Sequence, residues 1–158
     1  MKIGVLSDTH LTRVTPDLKK LLQTHLEDVD LILHAGDMVS LAVYEFLQGK
    51  PVEAVQGNMD DWNLKALLPD KKTITLEGVT IGLIHGWGPA GGLEGRIIPA
   101  FSHVDCLVYG HSHTPANHWS DGVLFFNPGS ASGIGFSRKP TIGILHIDGG
   151  LKGEIIEI

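Results

Sequence analysis

This 158-residue chain has a single cysteine, no apolar run longer than a strand, and no surplus of basic residues. Each shortage excludes something. The lone Cys106 rules out a disulfide scaffold within the chain, and its place in the apolar run 104–109 marks a buried, inert thiol rather than a nucleophile. The longest apolar stretches, such as 29–33 and 123–126, fall far short of the roughly 20 residues that a membrane helix needs. No membrane partner is expected. Residues 1–8 run straight into a strand pattern, without a hydrophobic signal core or a small-residue cleavage site, so a cytoplasmic protein is the expectation. Twelve Lys and Arg against eighteen Asp and Glu give a formal charge of -6, too acidic for a protein that grips duplex nucleic acid through its phosphates. No internal repeat or low-complexity tail is present, and the glycine-rich run 86–92 lacks the Lys and Ser/Thr of a P-loop.

What remains is the make-up of one ordinary globular domain over residues 1–158, 42% apolar and 19% charged. Strand-like runs at 2–6, 31–33 and 51–55 alternate with helical patterns at 16–26 and 41–47, as in a parallel sheet. Within 16–26, Leu18, Leu21, Leu22 and His25 recur at helical spacing. A further helix over about 60–68 is stopped by Pro69. Beyond it strands dominate: 73–77 and 79–84 flank Gly78 like a hairpin, and 105–109, 122–126, 141–147 and 151–156 follow, with a tight turn at Asp148-Gly149-Gly150. Residues 86–95 form a glycine-rich loop, and 92–101 have room for a helix. The expected fold is α/β: a four-layer α/β/β/α sandwich of two mixed sheets flanked by helices.

Six polar motifs sit at or just beyond the ends of these runs: Asp8-Thr9-His10, Gly36-Asp37, Gly57-Asn58, His85-Gly86, Gly110-His111-Ser112-His113 and Asn127-Pro128-Gly129-Ser130. They offer seven oxygen or imidazole donors, namely Asp8, His10, Asp37, Asn58, His85, His111 and His113. One ion takes three or four protein ligands, so seven suit two ions. Asp8 and His10 are two apart, as are His111 and His113, so at an extended strand end each pair points one way. Gly36 lets the backbone turn into Asp37, whose two oxygens can bridge a pair of ions, and the Asn58 amide adds a neutral ligand. Oxygen and nitrogen donors admit manganese, iron, zinc, nickel or cobalt. Coordination lowers the pKa of water from 15.7 to about 7, which makes a hydroxide available as a nucleophile near neutral pH. Two divalent ions offset by Asp8 and Asp37 leave a positive site, suited to small anionic esters.

The order D-T-H, G-D, G-N, H-G, G-H-S-H-T-P and N-P-G-S resembles the calcineurin-like metallophosphoesterases, and within them the small YfcE-type phosphodiesterases of bacteria and archaea. The likeness runs from Asp8 to Ser130. It implies a phosphodiesterase with two divalent ions, manganese first among them, acting on a small phosphate ester. It also implies that Asp8, His10, Asp37 and His113 hold the first ion and Asp37, Asn58, His85 and His111 the second, with Asn58, His85 and Asp37 carrying catalysis. Many family members place a histidine directly after the metal-binding asparagine, where this chain has Met59. A positioned acid contributes roughly 10²- to 10⁴-fold, so its absence favours diesters with good, aryl-like leaving groups.

Other residues divide between chemistry and packing. Asp60 either orients a ligand or caps a helix. Arg13 and Arg138 are read as solvated rather than phosphate-binding, Trp87 as a cover for the site or a stacking surface, and Trp62 and Trp119 as packing residues. Residues 127–130 either support His111 or form a structural turn. His25, His34, His103, His118 and His146 match no motif and are read as structural or solvated. Two further functions stay open: a phosphomonoesterase on the same site, and a protein-interaction scaffold, since a retromer subunit of this fold has lost hydrolytic function. A homodimer is admissible, because dimers are common among similar proteins.

Overall fold

The computed structural model describes residues 1–133 and 139–158, so Arg138 lies outside the described residues. Among the described residues, ten strands run in chain order: β1 Lys2–Leu6, β2 Leu31–His34, β3 Val52–Ala54, β4 Lys71–Leu76, β5 Val79–Ile84, β6 Cys106–Val108, β7 Ala116–Ser120, β8 Val123–Asn127, β9 Thr141–Ile147 and β10 Leu151–Glu157. Four helices accompany them among the same described residues: α1 Pro16–His25, α2 Leu41–Leu47, α3 Trp62–Leu67 and α4 Leu93–Ile97, the last continued by a 3-10 turn over Ile98–Ala100.

One sheet has the order β10-β9-β1-β2-β3 and the other β4-β5-β6-β8-β7. In the first, β1, β2 and β3 are parallel and β9 returns antiparallel to β1; in the second, β5, β6 and β8 are parallel. Both sheets are therefore mixed. Alternation along the strands sends one set of side chains inward: Ile3, Val5 and Leu33 from the first sheet meet Leu83, Val108 and Phe126 from the second. The opposite set points outward. Leu6, Ile32 and Ile144 pack under α1, α2 and α3, while Ile84, Leu107 and Phe125 pack under α4. Both strand faces are apolar for that reason, and the layers are α/β/β/α as expected. Full burial of each such Leu, Ile, Val or Phe side chain contributes about 1.5–3 kcal/mol.

Local chemistry sets the helix boundaries. Thr15 caps α1 through a bond from Leu18 N, with Pro16 following where its missing N–H costs nothing. The helix expected from about residue 60 begins at Trp62, capped by the Asp61 side chain, so Asp60 is not the cap. Strand β7 was not expected. Its residues Asn117, His118 and Trp119 are exposed on a sheet edge, so they show no alternation of apolar and polar positions. Trp62 and Trp119 are 80% and 56% exposed, against the expectation that both pack.

Parallel strands in both sheets end on the same side of the sandwich. The loops that follow β1, β2, β3, β5 and β6 carry all seven donor residues. Ligands of open α/β sheets bind just beyond such carboxyl ends.

Candidate metal centre

The donors converge through unusual backbone rather than through strand alternation. Asp8, His10, Asp37, His111 and His113 all have positive φ, between 48° and 68°, in the left-handed region. Each pair spaced by two was expected to face one way as on an extended strand; both members of each pair are left-handed instead, and His111 turns to Asn58 while His113 turns to Asp8 and His10. Such residues are uncommon outside glycine, cost on the order of 1 kcal/mol or more apiece, and cluster where function over-determines the backbone. Close approach accounts for two neighbouring glycines. A methyl on Gly57 would stand 2.1 Å from Asp37 Oδ1, and one on Gly110 would stand 1.8 Å from Ser7 Oγ.

The side chains form an unbroken line of contacts. Asn58 Oδ1 lies 3.1 Å from His111 Nδ1 and 3.2 Å from His85 Nε2, and His85 Nε2 lies 3.3 Å from Asp37 Oδ2. Asp37 Oδ2 is 3.8 Å from His10 Nε2, which faces His113 Nε2 at 3.1 Å, and His113 Nε2 is 3.1 Å from Asp8 Oδ1. Asp8 Oδ1 closes the line at 4.0 Å from His85 Nε2. Two compact sets stand out among the described residues: Asp8 with His10 and His113, and Asp8 with Asp37 and His85. Asp8 is thus placed between the two halves, as well as Asp37.

Where a carbonyl fixes the ring, a neutral histidine turns a lone pair towards the other acceptors. His85 Nδ1 donates to the Ala35 carbonyl at 2.7 Å, so in the neutral ring Nε2 is a lone pair aimed at Asp37 and Asn58. His111 Nε2 donates to the Gly88 carbonyl at 2.8 Å, which leaves its Nδ1 bare towards Asn58. Asp8 Oδ1 is a buried oxygen with no well-angled hydrogen bond among the described residues. Converging lone pairs call for cations. Ligands about 2.0–2.2 Å from one ion lie about 3–3.5 Å from each other, which is the spacing seen here, so the donor set fits divalent metals.

Comparison with known proteins gives the site its context. Residues 1–150 match the profile of the calcineurin-like phosphoesterase superfamily domain. The chain belongs to the calcineurin-like phosphoesterases. A protein named as a probable metallophosphoesterase of Methanothermobacter thermautotrophicus is 35% identical over 99% of this chain and 92% of its own length. A phosphodiesterase of Methanocaldococcus jannaschii is 32% identical over 100% and 98%. A solved archaeal phosphodiesterase superposes with a TM-score of 0.82 at 27% identity, with each chain covered in full. Vps29 of Entamoeba histolytica, solved with zinc, shares the fold at 24% identity, with a TM-score of 0.75 and 99% of each chain covered.

Within this phosphoesterase centre the charges are tightly balanced. Burial alone would raise the Asp8 carboxyl, but His10, His113, His85 and Ser7 together hold it well below the usual carboxylate range. Asp37 is likewise lowered: burial opposes the shift and His85 outweighs it. Burial would lower His85, and the Asp37 and Asp8 carboxylates raise it instead. His34 behaves in the opposite way. It is fully buried, accepts from Gly36 N through Nδ1 and meets Thr9 Oγ1 through Nε2, and burial pushes it down to about 3. It is a neutral structural ring, as expected.

The calcineurin-like centre also rests on residues behind the donors. Asp60 accepts from Val39 N and Gly57 N, both at 2.7 Å, and so ties the loop of Asp37 to the loop of Asn58. Of its two expected roles it takes the positioning one. Asn127 Nδ2 donates to the Gly110 carbonyl and to Ser112 Oγ, on either side of His111, and Ser130 Oγ donates to the Asp8 carbonyl at 2.8 Å. The 127–130 motif therefore supports both halves. Ser7, whose hydroxyl donates to Asp8 Oδ2 at 2.5 Å, and Arg96, which holds the 87–91 loop, were not anticipated. Each is an ordinary residue type with no distinguishing spacing.

The remaining residues fall away from the chemistry. Arg13 is exposed in the loop after His10. His118 meets Glu94 and stacks on Phe125, and His103 lies in solvent beside Asp105. Cys106 is fully buried, and burial pushes its thiol up, out of the reactive range. Trp87 is half exposed beside His85. No helix among the described residues is long and apolar enough to cross a membrane.

Proposed function

We propose that the chain is a phosphodiesterase whose centre takes two divalent ions, manganese by preference, acting as one domain on small phosphate esters. Asp8, His10, Asp37 and His113 would hold one ion, and Asp37, Asn58, His85 and His111 the other. The observation that carries this reading is the unbroken line of seven donors with carboxylates between its halves. When bound, such ions supply a water acidic enough to attack phosphorus near neutral pH and positive charge for the phosphoryl oxygens.

The protein's own groups set the rest. Asp37, pinned through Oδ1 by Met59 N at 2.7 Å, presents Oδ2 between His10 and His85. His85, locked by the Ala35 carbonyl, keeps one nitrogen turned to the site. Asn58 stands at the exposed edge, where its amide orients an entering phosphoryl group. Met59 follows it, 58% exposed, and offers no proton to a departing oxygen. That favours diesters whose leaving groups depart unaided.

Elemental analysis of protein reconstituted with manganese, nickel or zinc, with steady-state rates on matched mono- and diesters, tests the reading. Two equivalents of metal and a preference for aryl diesters are expected; one equivalent, or faster monoester turnover, would replace it with a mononuclear site or a phosphomonoesterase. A second reading rests on the exposed Met59, Trp62 and Trp87 on the Asn58 side, which suit a protein-interaction scaffold. Absence of turnover with every ion, together with stable capture of a partner by metal-free protein, would favour it.

A further inference from the structure

The two histidines whose rings are fixed by carbonyls are not fixed equally well. His85 leans on Ala35, a buried residue directly after β2, whose own N–H is bonded to the Leu6 carbonyl. His111 leans on Gly88, in an exposed loop containing Gly86, Gly88, Gly91 and Gly92. A loop so rich in glycine loses much entropy when it is ordered. Something must hold the Gly88 carbonyl still.

The Arg96 side chain, from α4, does so. Its Nε donates to the Trp87 carbonyl at 3.0 Å, one terminal nitrogen to the Gly91 carbonyl at 3.2 Å, and the other to the Pro89 carbonyl. Three carbonyls bracketing Gly88 are thus gathered by one planar cation, whose forked donors suit the task as an ammonium would not. Among the described residues Arg96 makes no ion pair with a carboxylate, so its charge is directed at the loop.

We infer that Arg96 is a positioning residue for His111: by clasping the 87–91 loop it holds the Gly88 carbonyl on Nε2–H and keeps the Nδ1 lone pair turned to Asn58 and the donor set. A carbonyl only accepts, so the nitrogen that faces it carries the proton and its partner is the one left to ligate. The consequence for metal binding rests on the two-ion reading above; the consequence for the tautomer does not.

Nitrogen-15 spectra of the histidine rings in metal-free protein, combined with calorimetric titration by zinc ions, test the role. Wild type should show His111 as the single tautomer protonated on Nε2. Arg96→Ala should give a mixture of tautomers, weaken the second zinc equivalent by on the order of 10- to 100-fold, and leave the first equivalent and the His85 signals unchanged. Arg96→Lys keeps the charge but cannot span three carbonyls, and should rescue little. Unchanged His111 signals in Arg96→Ala, or full rescue by lysine, would overturn the assignment, even if the variant melts earlier. If wild type takes up no zinc, the two-ion reading fails, and the ring spectra alone still decide the role of Arg96.

Discussion

The Asp8, His10 and His113 half of the centre and the Asn58, His85 and His111 half offer similar atoms on very different supports. In the first, Asp8 is completely buried, its Oδ2 accepts from Ser7 Oγ and His111 N, and its carbonyl accepts from Ser130. These bonds, 2.5 to 3.0 Å long, tie Asp8 to its neighbour in the chain and to two later loops. In the second, His85 is as firmly buried and held by the Ala35 carbonyl, but Asn58 is exposed, Asp60 braces its loop from beneath, and His111 depends on a glycine-rich loop held by one arginine. Preorganisation is thus concentrated where the charge is, and adaptability where a substrate would enter. The first half should bind its ion tightly and the second should exchange ions readily.

Loss of a carboxylate placed between the halves is the most drastic way to break that contrast. Asp37→Ala removes the carboxylate lying between His10 and His85, and both metal equivalents should be lost. Turnover of bis-aryl phosphodiesters should fall by on the order of 10³-fold or more, and near-normal rates would refute the shared role. Asp60→Asn should separate the halves instead. An asparagine can accept from Val39 N or Gly57 N but turns an NH₂ towards the other, which costs about 1–3 kcal/mol. Burial already raises the Asp60 carboxyl, so relief of that buried charge returns part of the loss. Zinc titration should show the second equivalent weakened by about 10- to 100-fold and the first retained. Equal weakening of both would show that the halves are one unit.

The same contrast explains what could be read from residues alone. That these seven residues gather on one side was legible because each lies in the loop just beyond an apolar run, and parallel strands deliver such loops to the same edge of their sheet. The four-layer fold was legible for a related reason: strands such as Leu31–His34, buried along their whole length, need cover on both faces. The means of convergence was hidden. Positive φ at Asp8, His10, His111 and His113 leaves no trace in the spacing. Strand β7 was hidden because an exposed edge removes the pattern that marks a strand, and Trp62 misled because bulk suggests burial. Arg96 was hidden most completely: a lone arginine near a helix end looks like any solvated one until the loop it grips is seen.

The smallest expected effect is a shift in where stability peaks, and it sets the donor His85 against the structural His34. In metal-free protein, His34 is held below the unfolded value of 6.5, near 3, so the unfolded chain binds the proton first and stability falls as pH drops below 6.5. His85 is raised above 6.5, burial notwithstanding, by Asp37 and Asp8; its contribution is complete below 6.5 and is lost as pH climbs through the raised value. Asp8 and Asp37, both lowered from 3.8, steepen the acid side below that value, while Asp60, raised, partly opposes them. The thermal midpoint of metal-free protein should therefore be greatest near pH 6.5 and decline on both sides. His85→Gln should abolish the alkaline decline that sets in above pH 6.5 and keep the acid one, leaving only the later loss, above pH 9, that the raised Cys106 thiol brings; zinc should do likewise, since an ion then occupies the lone pair that the proton held. A decline between pH 6.5 and 9 that persists in His85→Gln would mean that its source lies outside this centre.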